Sequence, residues 1–192
     1  GSIKINGVEL SSISRDFLLR LISLMQQESY LFEESIAFNI ALNRDGISPE
    51  IIKKVAEYVY ANEFIEELPE QYETILLEGG KNLSEGQGRL IIFARALAIE
   101  SDLIVLDEAT SSVDSVTENL IQKAIERIFH YKTVIAIAHR LSTIRNSDMI
   151  LVMDTGKIVE RGSHVDLVGQ NGVYAGLFEN LEDDTVSENI LA

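Results

Sequence analysis

Asp107 and Glu108 stand directly after four apolar residues, Leu103-Ile104-Val105-Leu106. Such a run is what a parallel strand buried on both faces requires, and in open parallel sheets the reactive groups gather just beyond the carboxyl ends of the strands. Adjacent carboxylates at that place can divide the work: one holds a hard cation, the other handles a proton. A second apolar run, residues 133–138, ends in His139, which puts an imidazole at a second strand end. Upstream, Ser84 and Gln87 stand three residues apart, ahead of Leu90-Ile91-Ile92-Phe93. That is the spacing of a helix capping box, and the positive helix terminus it opens is a ready place for phosphate. Each feature also has a plainer explanation. An Asp-Glu pair at a strand end is often turn chemistry, a single His is more often packed or at the surface, and Ser-x-x-Gln is explained by capping alone. The joint placement of carboxylates and imidazole at two strand ends favours chemistry; His130 and His164 have no such support and read as structural.

The elements that must position these groups follow from local patterning. Residues 2–10 alternate around Asn6-Gly7, which predicts a hairpin. Ser14 caps a short helix through Arg20, and residues 21–25 read as a strand that breaks into the polar loop Gln26-Gln27-Glu28-Ser29. Arg44-Asp45-Gly46 is a turn, and Ser48-Pro49-Glu50 opens a helix whose apolar stripe is Ile51, Ile52, Val55, Ala56 and Val59. A further short helix is expected over 62–68, stopping at Pro69. The aromatics Tyr58, Tyr60, Phe64 and Tyr72 read as packing, since no basic groove accompanies them. After the carboxylates, Asp114 or Ser115 caps a helix through Phe129, with Val116, Leu120, Ile121, Ala124, Ile125 and Ile128 facing the core. A terminal hairpin turns at Asp154-Thr155-Gly156-Lys157. Two short helices follow, one from Ser163 and one over about 173–181, and 182–192 is an acidic tail. Strands alternating with helices imply an α/β fold with a parallel sheet and flanking helices.

Composition narrows the function. With 192 residues the chain suits one domain, and 16 basic against 31 acidic residues give a net charge of −15. That balance disfavours nucleic acid and anionic lipid, both of which reward clusters of Lys and Arg. The absence of cysteine rules out a disulfide framework and a thiolate metal site. No apolar run approaches the ~18 residues of a spanning helix, so any membrane crossing is done elsewhere.

The order LSEGQ, ARA, LIVLDEAT, SSVD and AIAHR, at these spacings, resembles the ATP-binding cassette (ABC) family, in particular the nucleotide-binding domain of exporter-type transporters. The resemblance covers residues 1–181. It implies a P-loop-type parallel sheet plus a small helical subdomain, about 33–97, that carries the signature motif. It further implies that ATP and Mg2+ are bound and that ATP is hydrolysed to drive transmembrane transport. On that basis Asp107 would meet the Mg2+ and Glu108 would be the general base, while His139 would hydrogen-bond the γ-phosphate. Gln27 would touch the Mg2+ and the attacking water, and its loop would face the transmembrane partner. Ser84, Gly86 and Gln87 would bind ATP held by an opposing subunit in a head-to-tail dimer, and Asp114 would cross the same interface. The implied location is the cytoplasmic face of a membrane, tethered through a transmembrane domain.

The chain departs from that pattern in three places. Glu85 puts a carboxylate where the family usually has Gly. Gly88-Arg89-Leu90 replaces a polar pair and an arginine, which leaves the contacts of the helix beyond the signature open. And the glycine-rich phosphate loop GxxxxGK[ST] is absent: neither Gly80-Lys81 nor Gly156-Lys157 has the upstream Gly or the following Ser/Thr. The chain therefore reads as the C-terminal portion of such a domain, inactive by itself. Two other readings stand beside it: a truncated half-site that donates its signature in trans to an intact partner, and a soluble ABC ATPase of DNA maintenance or translation. The exporter-like stretch 30–40 and the −15 charge weigh against the last.

Overall fold

The computed structural model describes residues 1–26, 30–108, 115–138 and 144–179, with residues 108, 115, 116 and 138 described in their backbone only. The chain divides into two compact units, Gly1–Ile137 and Ala138–Ala192.

In the first unit the hairpin forms as the alternation predicts, with β1 (Lys4–Ile5) antiparallel to β2 (Val8–Glu9). The turn between them needs positive φ at both Asn6 and Gly7 (49° and 82°), which Asn and Gly tolerate best. Ser14 caps α1 (Arg15–Leu21) by accepting the N–H of Phe17, and β3 (Ile22–Met25) follows. Ser35 and Ser48 cap α2 (Ile36–Ala41) and α3 (Pro49–Tyr58) in the same manner. Ile52 and Ala56 of the predicted stripe are buried, but Ile51 is exposed, so the stripe is narrower than its sequence suggests. The next helix, α4 (Asn62–Ile65), stops short of Leu68: the N–H groups of Glu67 and Leu68 already make tighter three-residue bonds to Phe64 and Ile65.

The long helix α5 (Glu85–Ala98) is the centre of this unit. Its buried residues Leu90, Ile91, Phe93, Ala94, Ala96 and Ala98 pack against α2, α3, β3 and α6 (Ser115–Tyr131). The alanines let the neighbouring backbones approach, and the buried Ser23 hydroxyl of β3 donates to the carbonyl of Ala96 at 3.1 Å. Arg127 on α6 stacks on Tyr60, 4.0 Å from its ring centroid, and donates to the carbonyl of Tyr58, while the Tyr58 hydroxyl donates back to the carbonyl of Arg127. Tyr58, Tyr60, Phe64 and Tyr72 all pack against the core, as the sequence implies.

The sheet runs in the order β3, β4 (Leu103–Glu108), β5 (Thr133–Ala138), with β3 parallel to β4. The register pairs Ser23 with Ile104 and Met25 with Leu106, and these four are buried beneath α5. The opposite face departs from the sequence expectation of burial on both sides. Leu24 is 58% exposed, and Ile135 and Ile137 are 55% and 54% exposed. The apolar runs therefore carry the composition of a doubly covered sheet, but among the described residues only one face is fully covered.

In the second unit β6 (Ile150–Asp154) and β7 (Lys157–Gly162) form an antiparallel hairpin with a bulge between Val152 and Met153. The turn uses positive φ at Thr155 and Gly156. Ser163 and Asp166 make a reciprocal capping box on α7 (His164–Gly169). Residues 173–179 are helical, and the Glu160 carboxylate accepts the N–H groups of Val173 and Tyr174 at their start. Ile150, Val152, Leu167 and Tyr174 form a separate small core. His164 is structural, as read from sequence: its Nδ1 lies 2.9 Å from the Tyr174 hydroxyl and its ring packs against Phe178. Among the described residues no helix is long and apolar enough to cross a membrane.

Candidate active site

β4 continues two residues past its apolar run, so Asp107 and Glu108 are its last two residues and lie at its carboxyl end. Asp107 is exposed. Since Met25 pairs with Leu106, Gln26 and Asp107 follow from neighbouring positions of two parallel strands. A cavity of about 30 Å³, room enough for ordered water, opens there. Gln26, Arg89 and Asp107 line it, over a floor of Met25, Ile92, Phe93 and Leu106. The strand end and the second turn of α5 thus share one wall. Sequence patterning alone does not single out Gln26 or Arg89 as site residues. Gln26 stands one position from Gln27, and nothing in the spacing distinguishes Arg89.

At the tip of α5 the capping box is complete. The N–H of Gln87 donates to Ser84 Oγ at 3.1 Å, and the N–H of Ser84 donates to Gln87 Oε1 at 3.0 Å. The box uses the serine oxygen only as an acceptor, which leaves the hydroxyl proton available for an anion. Ser84 and Glu85 are exposed, while Gly86 is buried one residue further in. An acidic side chain in the first turn is favoured by the helix dipole, which gives Glu85 a structural reason to be there.

The three residues after the signature also have a physical account. Gly88 leaves room for Leu31: a Cβ at that position would lie 3.2 Å from Leu31 Cδ1. Arg89 lines the cavity with Asp107, and Leu90 is buried in the core. Gly80-Lys81 is no phosphate loop, since Lys81 is paired with Glu78 at 2.6 Å in a short turn.

Gln27, Asp114 and His139 lie outside the described residues, and Glu108 is placed by its backbone alone. Among the described residues no group of three or more His, Cys, Asp or Glu could hold a metal unaided. Mg2+ seldom asks for one, because it is ordinarily held by one or two carboxylates together with substrate phosphates and water. A single exposed Asp107 at a strand end fits that mode of binding.

Residues 1–111 match the profile of a family described as ABC transporter. Among curated proteins, the chain is 44% identical over 177 residues to an uncharacterized ABC transporter ATP-binding protein, YknV, of Bacillus subtilis, covering 92% of this chain and 29% of that one. It is 44% identical over 180 residues to an ATP-dependent lipid A-core flippase of Shewanella denitrificans, covering 93% of this chain and 30% of the relative. Among solved structures, an Atm1-family ABC exporter from a bacterium with ATP bound superposes with a TM-score of 0.84 at 37% identity, over 94% of this chain and 32% of that one. The chain spans about three-tenths of the length of these proteins.

Proposed function

The chain belongs to the ABC transporter family, and we propose that it is part of the ATP-binding and hydrolysing domain of an exporter. In this reading residues 1–181 form the ABC ATPase domain, lacking its phosphate loop, with the helical subdomain about 33–97 and an acidic tail, 182–192. The domain sits at the cytoplasmic face of a membrane, tethered through a transmembrane domain on the same or a partner polypeptide. It couples ATP hydrolysis to transport when it closes head-to-tail on a second nucleotide-binding domain.

The observation that carries the reading is the shared wall between the end of β4 and the signature helix, where Asp107 and Arg89 line one cavity. Phosphoryl transfer needs positioning and charge neutralisation more than covalent help. Asp107 and Gln27 would hold Mg2+, which supplies charge neutralisation at the phosphates. Glu108 would take the proton of the attacking water, and His139 would hydrogen-bond the γ-phosphate. The Ser84 hydroxyl, with Gly86 and Gln87 beside it, would donate to the phosphate of an ATP held by the opposing subunit, and Asp114 would cross that interface. The exposed apolar side chains Leu24, Ile135 and Ile137 support the same reading, because strands of this composition suit a sheet covered on both faces.

A second reading is favoured by a different observation. The signature tip is fully formed in a chain with no GxxxxGK[ST] run, so the chain can act as a half-site that donates its signature in trans. Replacing Glu108 by Gln in the full-length polypeptide separates the two. In the first reading turnover is lost while ATP-driven dimer closure persists. In the second the partner alone hydrolyses ATP, and turnover is unchanged.

A further inference from the structure

Asn39, in the core, and the half-buried Arg95 form a polar hub that none of the roles above uses. Asn39 is fully buried, and all of its side-chain polar groups are engaged. Its Oδ1 accepts the N–H of Phe32 at 2.8 Å and a guanidinium N–H of Arg95 at 3.1 Å. Its Nδ2 donates to the carbonyls of Phe32, Glu34 and Ser35 at 3.0, 3.3 and 3.0 Å. Arg95 also donates from Nε to the carbonyl of Asn39 at 2.7 Å and from Nη1 to the carbonyl of Tyr30 at 2.9 Å. Its guanidinium carbon stands 5.9 Å from the ring centroid of Phe32. One planar fork therefore meets backbone and side-chain oxygens at both ends of residues 30–39, a geometry that a lysine cannot reproduce.

What the hub joins gives it a function. Arg95 stands on α5, whose first residues follow Ser84 and whose Arg89 lines the cavity with Asp107. The stretch it holds begins at Tyr30, four residues after Gln26, which lines the same cavity from the β3 side. We infer that Arg95 is a positioning residue for hydrolysis: through Asn39 it fixes the stretch that follows the β3 wall of the cavity against the helix that carries the signature. This inference rests on the ATPase reading given above. It requires nothing of Arg95 toward ATP itself, because both ends of its fork are taken up by protein oxygens.

The test uses the full-length protein with Arg95→Lys, Asn39→Ser and the double variant. Hydrogen exchange of the amides of 30–35 should rise at least about tenfold, with α3 (Pro49–Tyr58) unchanged as the internal control. Turnover should fall about tenfold while KM for ATP moves less than about twofold, the split expected when an interaction acts in the transition state only. The double variant should be no slower than the slower single one, since both break the same link. Unchanged kcat with loosened 30–35, independent losses that multiply in the double variant, or equal loss of protection through α3 and α5 would each overturn the role. Asn39→Ser leaves α5 untouched and is read in the same way where Arg95→Lys does not fold. Failure of the ATPase reading is distinguishable: the unsubstituted protein then shows no turnover that depends on Glu108, whatever these variants do.

Discussion

The side chain of Leu31 fills a notch made by the absence of a side chain at Gly88, with Leu31 Cδ1 3.2 Å from where a Cβ would stand. Gly80 borders the same side chain more tightly, at 2.7 Å, and has φ of +81°. The two glycines should therefore answer differently to alanine. At Gly88 the methyl meets the end of a flexible side chain that can give way, and the helix gains about 1 kcal/mol of propensity, so the net change should lie within about 1 kcal/mol of zero. At Gly80 the left-handed backbone strain adds to a closer clash, and a loss of about 2 kcal/mol or more is expected. Denaturant melts of the two variants check the order; equal effects would mean that Leu31 does not seat in the notch.

Ser84 caps α5 and is proposed to meet phosphate, two roles that one substitution can separate. Asp caps a helix as well as Ser does, but it offers no proton and brings a negative charge toward phosphate. Ser84→Asp should keep the thermal stability of the unsubstituted protein and abolish ATP-driven closure in the full-length context. Ser84→Ala should cost about 1 kcal/mol of stability through the lost cap. If Ser84→Asp closes and hydrolyses normally, the signature tip does no more than cap its helix.

The bare face of the first unit predicts the behaviour of the chain alone. Leu24, Ile135 and Ile137 present apolar side chains of one sheet face to water, a pattern associated with self-association. Ile135→Thr with Ile137→Thr should leave stability within about 0.5 kcal/mol, because little burial is lost, and should shift light scattering toward monomer. The same chain lacks the loop that would cradle the β- and γ-phosphates, so calorimetry should detect no micromolar ATP binding. Tight binding with steady phosphate release would contradict this.

Acid should loosen α7 before the rest of the second unit. The Asp166 carboxylate accepts the Ser163 hydroxyl and N–H, which holds its pKa below the ordinary 3.8. A depressed folded pKa means the contribution is fully present above the unfolded value and is lost as pH falls through the folded one. Asp166→Asn should remove that part of the acid response. Amide exchange over 164–169 between pH 5 and 2 measures it; an identical response in the variant would dismiss the box as its source.

Much of this fold was legible because short-range rules were decisive. Ser14, Ser48, Ser84 and Ser163 each sit where a cap belongs, and all four cap. The Asn6-Gly7 turn and the carboxylate pair at the end of β4 followed from equally local signals. What the sequence did not disclose depends on neighbours distant along the chain. Asn39 and Arg95 are 56 residues apart, and neither has a spacing that announces the other. Arg89 comes to line a cavity with Asp107 only because α5 packs against β3, the strand paired with β4. The exposure of Ile135 and Ile137 could not be foreseen either, since an apolar run records what a strand is suited to meet and not whether that layer is there.

In the proposed dimer each ATP is shared, with Glu108 acting from one subunit and Ser84 from the other. Two full-length variants, Glu108→Gln and Ser84→Arg, should each be inactive as homodimers. In their mixed dimer both lesions fall on one site and leave the second intact. Mixing equal amounts should therefore restore ATP turnover to about a quarter of the unsubstituted rate, since half the dimers are mixed and each has one working site. A mixture no more active than its two parents would contradict the account.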